Sequence, residues 1–252
     1  FLAFCSFSFI ASSSYIINDL LDLNSDRLHK NKYSRPFASG DIPIEHASIL
    51  ILIMLIASIT IAYFINTSFL FIIIFYFLLS QTYSIFFKKI IVLDLFVVSS
   101  LFTIRIFAGG TAANILISEW LITFSIFFFL SLATIKRQAE LIHLKQIKKT
   151  LALGRGYKVD DLPIINLIAL TTGYISVLIL TLYINSISAI QLFNQIYAIW
   201  GICFVLLYWI TKLVFVTNRG HMTDDPIIYA LTNKSSLSCF FIILCLFIFG
   251  II

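Results

Sequence analysis

Eight long apolar segments limit what this chain can fold into. A helix needs roughly 20 mostly apolar residues to cross the hydrocarbon core of a bilayer, and every segment is close to that length. None of them alternates between apolar and polar residues, which excludes a membrane barrel. The sequence therefore predicts an all-α, polytopic transmembrane helical bundle with eight spans. The predicted spans are residues 1–17, 47–65, 68–87, 92–115, 118–135, 163–184, 192–216 and 236–252.

The composition agrees with a membrane protein that has no separate soluble domain. Only 12% of the residues are charged and 60% are hydrophobic, whereas soluble domains have about 25% charged residues. The four cysteines lie within predicted spans, so we interpret them as buried thiols. The chain starts with Phe1 inside an apolar segment. We therefore expect residues 1–252 to form a single transmembrane domain that is truncated at its N-terminus.

The charged residues gather on one side of the predicted bundle. If the connections alternate between the two sides, one side receives 16 of the 17 Lys and Arg residues and 11 of the 12 acidic residues, with Arg105 and Glu119 as the exceptions. Because cationic connections stay in the cytoplasm, we expect an inner (plasma) membrane protein whose active site faces the cytoplasm. Topogenic charge explains the net charge of +5, and no nucleic-acid-binding module is found in the sequence.

Three aspartates at the end of the first span form the strongest local motif. Asp19, Asp22 and Asp26 follow an i, i+3, i+7 spacing, which places them on one helical face. Asn18 lies at the rim of that face. Close carboxylates repel one another unless a cation lies among them, and their oxygens suit Mg²⁺, which recruits diphosphate. A solvated acidic helix end is the alternative, but ionisable residues at a span are rare and mostly functional.

Cationic side chains that could bind phosphate follow this motif and recur after the fifth span. Arg27 and Arg35 can bind phosphate oxygens in a forked geometry. Lys136, Arg137 and Glu140 come directly after the fifth span. Their spacing allows either an anion-binding helical face or an ordinary salt bridge within the helix.

Further polar residues lie in the connections on the same side. Arg155 is flanked by Gly154 and Gly156, and glycines allow a backbone to approach an anion closely. The acidic pairs 160–161 and 224–225 each come shortly before a proline, a pattern that is typical of helix starts. Whether Asp160, Asp161, Asp224 or Asp225 also joins the site is left open.

Together these motifs resemble the UbiA-type membrane prenyltransferase superfamily. The resemblance rests on the asparagine and the three aspartates of residues 18–26, on Arg35-Pro36 and on Ser39-Gly40. It implies an all-helical bundle, usually of nine spans, with a Mg²⁺-diphosphate site at the cytoplasmic mouth of a central cavity. One N-terminal helix would then be absent here. The motifs that resemble one branch, decaprenyl-phosphate phosphoribosyltransferase, are residues 88–94, 105–109, 136–141, 155–157 and 224–226.

This resemblance implies a Mg²⁺-dependent transfer of 5-phosphoribose from phosphoribosyl diphosphate to a polyprenyl phosphate of the decaprenyl type. Asp19, Asp22 and Asp26 would be the metal ligands and the catalytic residues. The basic character of residues 136–137 suits a donor that carries a further phosphate. A role in cell wall biosynthesis and association into homo-oligomers are left open. The implied substrate-binding residues are Asn18, Arg27, Arg35, Lys136, Arg137, Glu140, Arg155 and Tyr157.

Three other functions are compatible with parts of the pattern. The nearest is a prenyltransferase of the same superfamily that moves an isoprenoid from prenyl diphosphate to an aromatic or quinone-precursor acceptor. A transporter would use the aspartates as a cation pathway, but transporters place ionisable residues near the midplane of the bilayer. A pure assembly protein leaves three facing carboxylates without an explanation.

Overall fold

The computed structural model of the protein describes residues 1–27, 33–151, 155–222 and 225–252. Within these ranges the chain forms helices and no β-strand, and one isolated antiparallel bridge joins Leu151 to Lys158. Each of the eight predicted spans coincides with a long helix. The α-helices are α1 (Leu2–Leu21), α2 (Leu23–Arg27), α3 (Pro36–Ser39), α4 (Ile44–Ile65), α5 (Thr67–Ile85), α6 (Leu93–Ala112), α7 (Glu119–Gln146), α8 (Leu162–Ile184), α9 (Ile187–Leu192), α10 (Ile196–Asn218), α11 (Pro226–Thr232) and α12 (Lys234–Ile251).

Among the described residues, seven helices are long and apolar enough to cross a membrane: α4, α5, α6, α7, α8, α10 and α12. The prediction of an all-α, multi-span bundle is confirmed. The predicted count of eight spans is not, because α1 is outside this group. Five serines and a polar C-terminal end distinguish α1 from the other long helices.

The chain divides into two compact units. Unit 1 contains Phe1–Ile117 and Arg155, and unit 2 contains the other described residues from Ser118 to Ile252. A single transferase domain that includes both units stays a prediction.

In unit 1, α1 packs against α4 and α5, and α5 packs against α6. Ser6 and Ser58 hold α1 and α4 together, because each hydroxyl donates a 2.8 Å hydrogen bond to the backbone carbonyl of the other residue. Both serines are fully buried, and such small side chains let two membrane helices approach closely. The buried apolar residues of this unit are Ile10, Ala62, Phe69, Ile73, Tyr76, Val97, Leu101 and Ala108.

Arg105 of α6 lies among aromatic rings in unit 1. Its Nη2 donates a 2.9 Å hydrogen bond to the hydroxyl of Tyr76. Its guanidinium carbon lies 4.6 Å from the ring centroid of Phe102 and 5.7 Å from that of Phe7. A cation within a span needs a partner in the protein interior. For Arg105 these partners are aromatic rings and the hydroxyl of Tyr76.

In unit 2, α7 packs along α8, and α10 packs against α8 and α12. The contact is close at Gly173 of α8, where an added Cβ would lie 2.6 Å from Cγ2 of Ile210 and 2.9 Å from the hydroxyl oxygen of Ser131. Ser131 also donates a 2.7 Å hydrogen bond to the carbonyl of Ala169. A larger residue at position 173 would therefore force these helices apart. α7 extends beyond the predicted end of the fifth span, so Lys136, Arg137 and Glu140 are helical.

Candidate functional site

The aspartate motif of unit 1 lies where α1 gives way to α2. α1 ends at Leu21, and Asp22 interrupts the helix before α2 begins. The N–H of Asp22 still donates to the carbonyl of Asn18, and the N–H of Asp26 donates to that of Asp22, both at 2.9 Å. The helical spacing is therefore kept across the interruption, although the predicted continuous helical face is broken at Asp22.

Arg35 brings two of the three aspartates together. Its Nη1 donates to Oδ1 of Asp19 and to Oδ2 of Asp26, at 2.7 Å in both cases. The side chain of Asp26 is only 3% exposed, whereas that of Arg35 is 36% exposed. Pro36 begins α3 directly after Arg35, and Gly40 ends it with a φ of 87°. This short turn presents the guanidinium to the carboxylates.

Asp22 pairs with a different cation. Nζ of Lys88 lies 2.6 Å from Oδ1 of Asp22, and Lys88 belongs to the short 3₁₀ turn Phe87–Lys89 after α5. Lys88 is not among the site residues predicted from the sequence. The available signal was that Lys88 lies at the end of the third span, on the side that carries the aspartates.

The structure brings together two of the three predicted metal ligands, Asp19 and Asp26. Within the described ranges, no group of three or more His, Cys, Asp or Glu side chains is arranged to hold a metal ion. Asp19 and Asp26 converge on the guanidinium of Arg35, while Asp22 turns to the ammonium group of Lys88. Asp19 and Asp26 therefore place carboxylate oxygens around one positive charge, and Mg²⁺ prefers such oxygen ligands. The Mg²⁺ site stays a prediction.

A second ion pair of unit 1 involves Arg155 and a buried carboxylate. Nη1 of Arg155 lies 3.7 Å from Oδ2 of Asp94, whose side chain is fully buried. It also lies 3.4 Å from the hydroxyl of Tyr83. Val92, two residues before Asp94, has a φ of 70°, a strained conformation for a β-branched residue. Tyr83 and Asp94 are not predicted from the sequence as partners of Arg155. Gly154 lies outside the described residues.

The second predicted cluster, in unit 2, is held by two ion pairs. Arg137 pairs with Glu140 within α7. Nζ of Lys136 lies 2.7 Å from Oδ2 of Asp225, so Lys136 pairs across the unit and not along its own helix. The guanidinium of Arg137 lies 5.3 Å from the ring centroid of Tyr157. Arg137 and Tyr157 are only 4% and 1% exposed, and Lys136 is the accessible member of the cluster.

Asp225 also starts a helix, as its proline context predicts. Its side chain accepts a 2.9 Å hydrogen bond from the N–H of Ile227 at the beginning of α11. Burial alone would raise the pKa of Asp225, but Lys136 and the N–H groups of Ile227 and Ile228 outweigh burial and lower this pKa below its ordinary value of 3.8. Asp224 lies outside the described residues.

The other predicted site residues lie in turns or near helix ends, outside the ion pairs described above. The side chain of Asp161 accepts a 2.8 Å hydrogen bond from the N–H of Lys158, in the turn that leads into α8. Asp160 lies in the same turn. Arg27 is exposed at the end of α2, and Asn18 is partly buried near the end of α1. The structure therefore places these four residues without bringing them into the ion pairs described above.

The fold defines a class of polytopic helical membrane protein. Over 99% of this chain it matches a UbiA homologue from Archaeoglobus fulgidus, solved with GPP and Mg²⁺, with a TM-score of 0.71 and 17% identity, and the match covers 85% of that chain. It also matches a digeranylgeranylglyceryl phosphate synthase with a TM-score of 0.67 and 20% identity, over 84% of that chain. The UbiA prenyltransferase family matches residues 1–233, and the chain belongs to this family. The predicted family resemblance is confirmed.

Three curated relatives are similar in sequence. The nodulation protein NoeC of Azorhizobium caulinodans is 38% identical over 238 residues, which are 94% of this chain and 78% of NoeC. The uncharacterized protein y4nM of Sinorhizobium fredii is 32% identical over 92% of this chain and 45% of that protein. The decaprenyl-phosphate phosphoribosyltransferase of Mycolicibacterium smegmatis is 38% identical over 140 residues, which are 56% of this chain and 44% of that enzyme. The chain therefore matches less than half the length of the last two relatives.

Proposed function

We propose that this protein transfers 5-phosphoribose from phosphoribosyl diphosphate to a polyprenyl phosphate and releases diphosphate. Its membership of the UbiA family supports a membrane transferase. The choice of donor and acceptor is supported by the identity to decaprenyl-phosphate phosphoribosyltransferase, which covers only part of both chains. The observation that carries the proposal is the convergence of Asp19 and Asp26 on Arg35 where α1 gives way to α2.

Asp19, Asp22 and Asp26 would hold Mg²⁺, which stabilises the negative charge that grows on the leaving diphosphate. A divalent ion is supported by the UbiA homologue from Archaeoglobus fulgidus that was solved with GPP and Mg²⁺. Arg35 and Lys88 would exchange their carboxylate partners for diphosphate oxygens once the aspartates are neutralised. The two cations would therefore pair with carboxylates in the absence of the donor and with diphosphate in its presence.

Some of the remaining candidate residues would contact the substrate directly, and others would hold the contacting residues in place. Lys136, Arg27 and Arg155 would bind phosphate oxygens, and Lys136 is half exposed. Arg137, Glu140 and Tyr157 form a mostly buried group, which would keep the end of α7 rigid beside Lys136. Asn18 would complete the polar surroundings of the aspartates.

The reaction would exchange one bond at the anomeric carbon of ribose. The bond from this carbon to the diphosphate oxygen breaks, and both electrons leave with diphosphate. An oxygen of the polyprenyl phosphate forms the new bond to the same carbon. Because this oxygen is already anionic, no general base is needed to remove a proton. The site would face the cytoplasm of an inner-membrane protein, a placement that the distribution of Lys and Arg residues supports.

A donor competition would test the proposal. The protein in liposomes is supplied with Mg²⁺, polyprenyl phosphate and an aromatic acceptor, together with labelled phosphoribosyl diphosphate or labelled prenyl diphosphate. Label from phosphoribosyl diphosphate should appear in the lipid fraction. Transfer of the prenyl group to the aromatic acceptor, with no ribosylated lipid, would overturn the proposal in favour of a prenyltransferase. The variant Asp41→Ala, which removes an exposed carboxylate outside the site, serves as the control.

A further inference from the structure

The outward face of α10 carries a groove that the proposed reaction does not use. The groove measures about 330 Å³. Its lining residues recur every three or four positions, and they therefore share one face of the helix. They lie in the last part of α10, which is long and apolar enough to cross a membrane, and at the residue directly after it. The lining residues are Tyr208, Thr211, Lys212, Phe215, Val216 and Arg219.

Two positive charges in this groove have no compensating carboxylate among the described residues. Nζ of Lys212 donates to the hydroxyl of Ser235 on α12 and lies 5.7 Å from the ring centroid of Tyr208. Arg219 is exposed directly after the end of α10. In the part of the chain that the structure describes, neither Lys212 nor Arg219 forms an ion pair. Arg35, Lys88, Lys136, Arg137 and Arg155 all do.

An apolar strip continues from these cations toward the middle of the span. Phe204, Tyr208 and Phe215 are 71%, 56% and 58% exposed. Because α10 is apolar enough to cross a bilayer, these exposed rings are suited to contact lipid chains. Thr211 adds a hydroxyl beside the cations, and its oxygen lies 3.0 Å from that of Tyr174. The face therefore combines a polar, cationic end with an apolar path, as an amphiphile requires.

We propose that this groove binds an anionic bilayer phospholipid, with its phosphate between Lys212 and Arg219 and an acyl chain along Tyr208 and Phe204. Charge complementarity selects this occupant, because a zwitterionic lipid brings its own positive charge to the two cations. Each cation near a membrane surface strengthens the attraction to anionic lipid about fivefold. Loss of both cations should therefore weaken binding about 25- to 30-fold.

Native mass spectrometry of the detergent-purified protein, titrated with single lipids, tests this site. Phosphatidylglycerol should bind to the wild-type protein more tightly than phosphatidylcholine. The variant Lys212→Gln/Arg219→Gln should lose about 25- to 30-fold in affinity for phosphatidylglycerol. The variant Lys145→Gln/Lys149→Gln, which removes two exposed charges elsewhere in unit 2, should bind like the wild-type protein. The charge-preserving variant Lys212→Arg/Arg219→Lys should keep most of the affinity.

Several results would overturn the proposal. One is unchanged phosphatidylglycerol affinity in Lys212→Gln/Arg219→Gln. Another is equal affinity of the wild-type protein for the two phospholipids, a test that remains valid if the double variant does not fold. Displacement of phosphatidylglycerol by equimolar inorganic phosphate would show that the groove recognises only a free phosphate group. Tighter binding of polyprenyl phosphate than of phosphatidylglycerol would identify a substrate site instead.

Discussion

The aspartate cluster of unit 1 and the cluster at the end of α7 in unit 2 balance their charges differently. In unit 1, three carboxylates share the two cations Arg35 and Lys88. In unit 2, Lys136 pairs with Asp225 and Arg137 pairs with Glu140, and Arg137 is almost completely buried. Two carboxylates that converge on one guanidinium suit the binding of a further cation, whereas an ion pair with a buried member contributes to the rigidity of its helix.

The largest expected effect is the loss of activity in Asp22→Ala. This substitution removes one of the three proposed Mg²⁺ ligands, so turnover should fall at least about 100-fold. The thermal midpoint should change little, because the removal also relieves repulsion between carboxylates. Activity and thermal unfolding in detergent are measured in parallel, with Asp41→Ala as the control. Full activity of Asp22→Ala would refute the metal assignment.

The next effect is a loss of stability in Arg137→Met. The substitution leaves Glu140 without its buried partner, and breaking such a pair costs about 2–3 kcal/mol when one member is partly exposed. In a chain of this size the thermal midpoint should fall by about 5–10 °C. The additional change Glu140→Gln should recover part of the loss. A wild-type midpoint for Arg137→Met would contradict a structural role of the pair.

A smaller effect should link Arg35 to the divalent ion. Without Mg²⁺, Arg35→Gln removes the guanidinium on which Asp19 and Asp26 converge, and the thermal midpoint should fall by a few degrees, about 1 kcal/mol. Mg²⁺ should remove this difference by taking over the neutralisation. The variant should therefore show a larger Mg²⁺-induced rise of the midpoint than the wild-type protein and the control Lys149→Gln. An equal Mg²⁺-induced rise of the thermal midpoint in all three proteins would show that Arg35 does not belong to the metal site.

The smallest effect is expected for Asp225→Asn. The Lys136–Asp225 pair is partly exposed, and such pairs contribute about 1 kcal/mol or less. Because folding lowers the pKa of Asp225 below 3.8, the carboxylate contributes its stability above this pH and loses it as the pH falls through the folded pKa. The difference in thermal midpoint between Asp225→Asn and the wild-type protein should therefore be constant from pH 5 to 8. A difference that shrinks within this range would indicate a raised pKa.

The sequence predicts the helices better than it predicts the ion pairs. Apolar segments as long as a bilayer is thick indicate spans directly, and the i, i+3 spacing of Arg137 and Glu140 indicated a pair that the structure contains. Lys88 and Asp22 are 66 residues apart, and Lys136 and Asp225 are 89 residues apart. Periodicity along one helix does not determine how separate helices pack, so it could not reveal these partners.

The same limit applies to the metal-ligand set. The spacing of Asp19, Asp22 and Asp26 predicts a shared face, and two of them do converge. Asp22 pairs instead with Lys88, which comes from a distant part of the sequence. The spacing of the aspartates along one helix could not show which distant cations pair with them.

The reciprocal Ser6–Ser58 bonds have a consequence for how the chain enters a bilayer. A ribosome delivers α1 before α4, yet α1 is the long helix outside the group that is apolar enough to span on its own. Until α4 arrives, the hydroxyl of Ser6 lacks the carbonyl that accepts its hydrogen bond in the finished protein. Stable insertion of α1 would therefore be a late, cooperative event, completed only when the two helices leave the translocon as a pair.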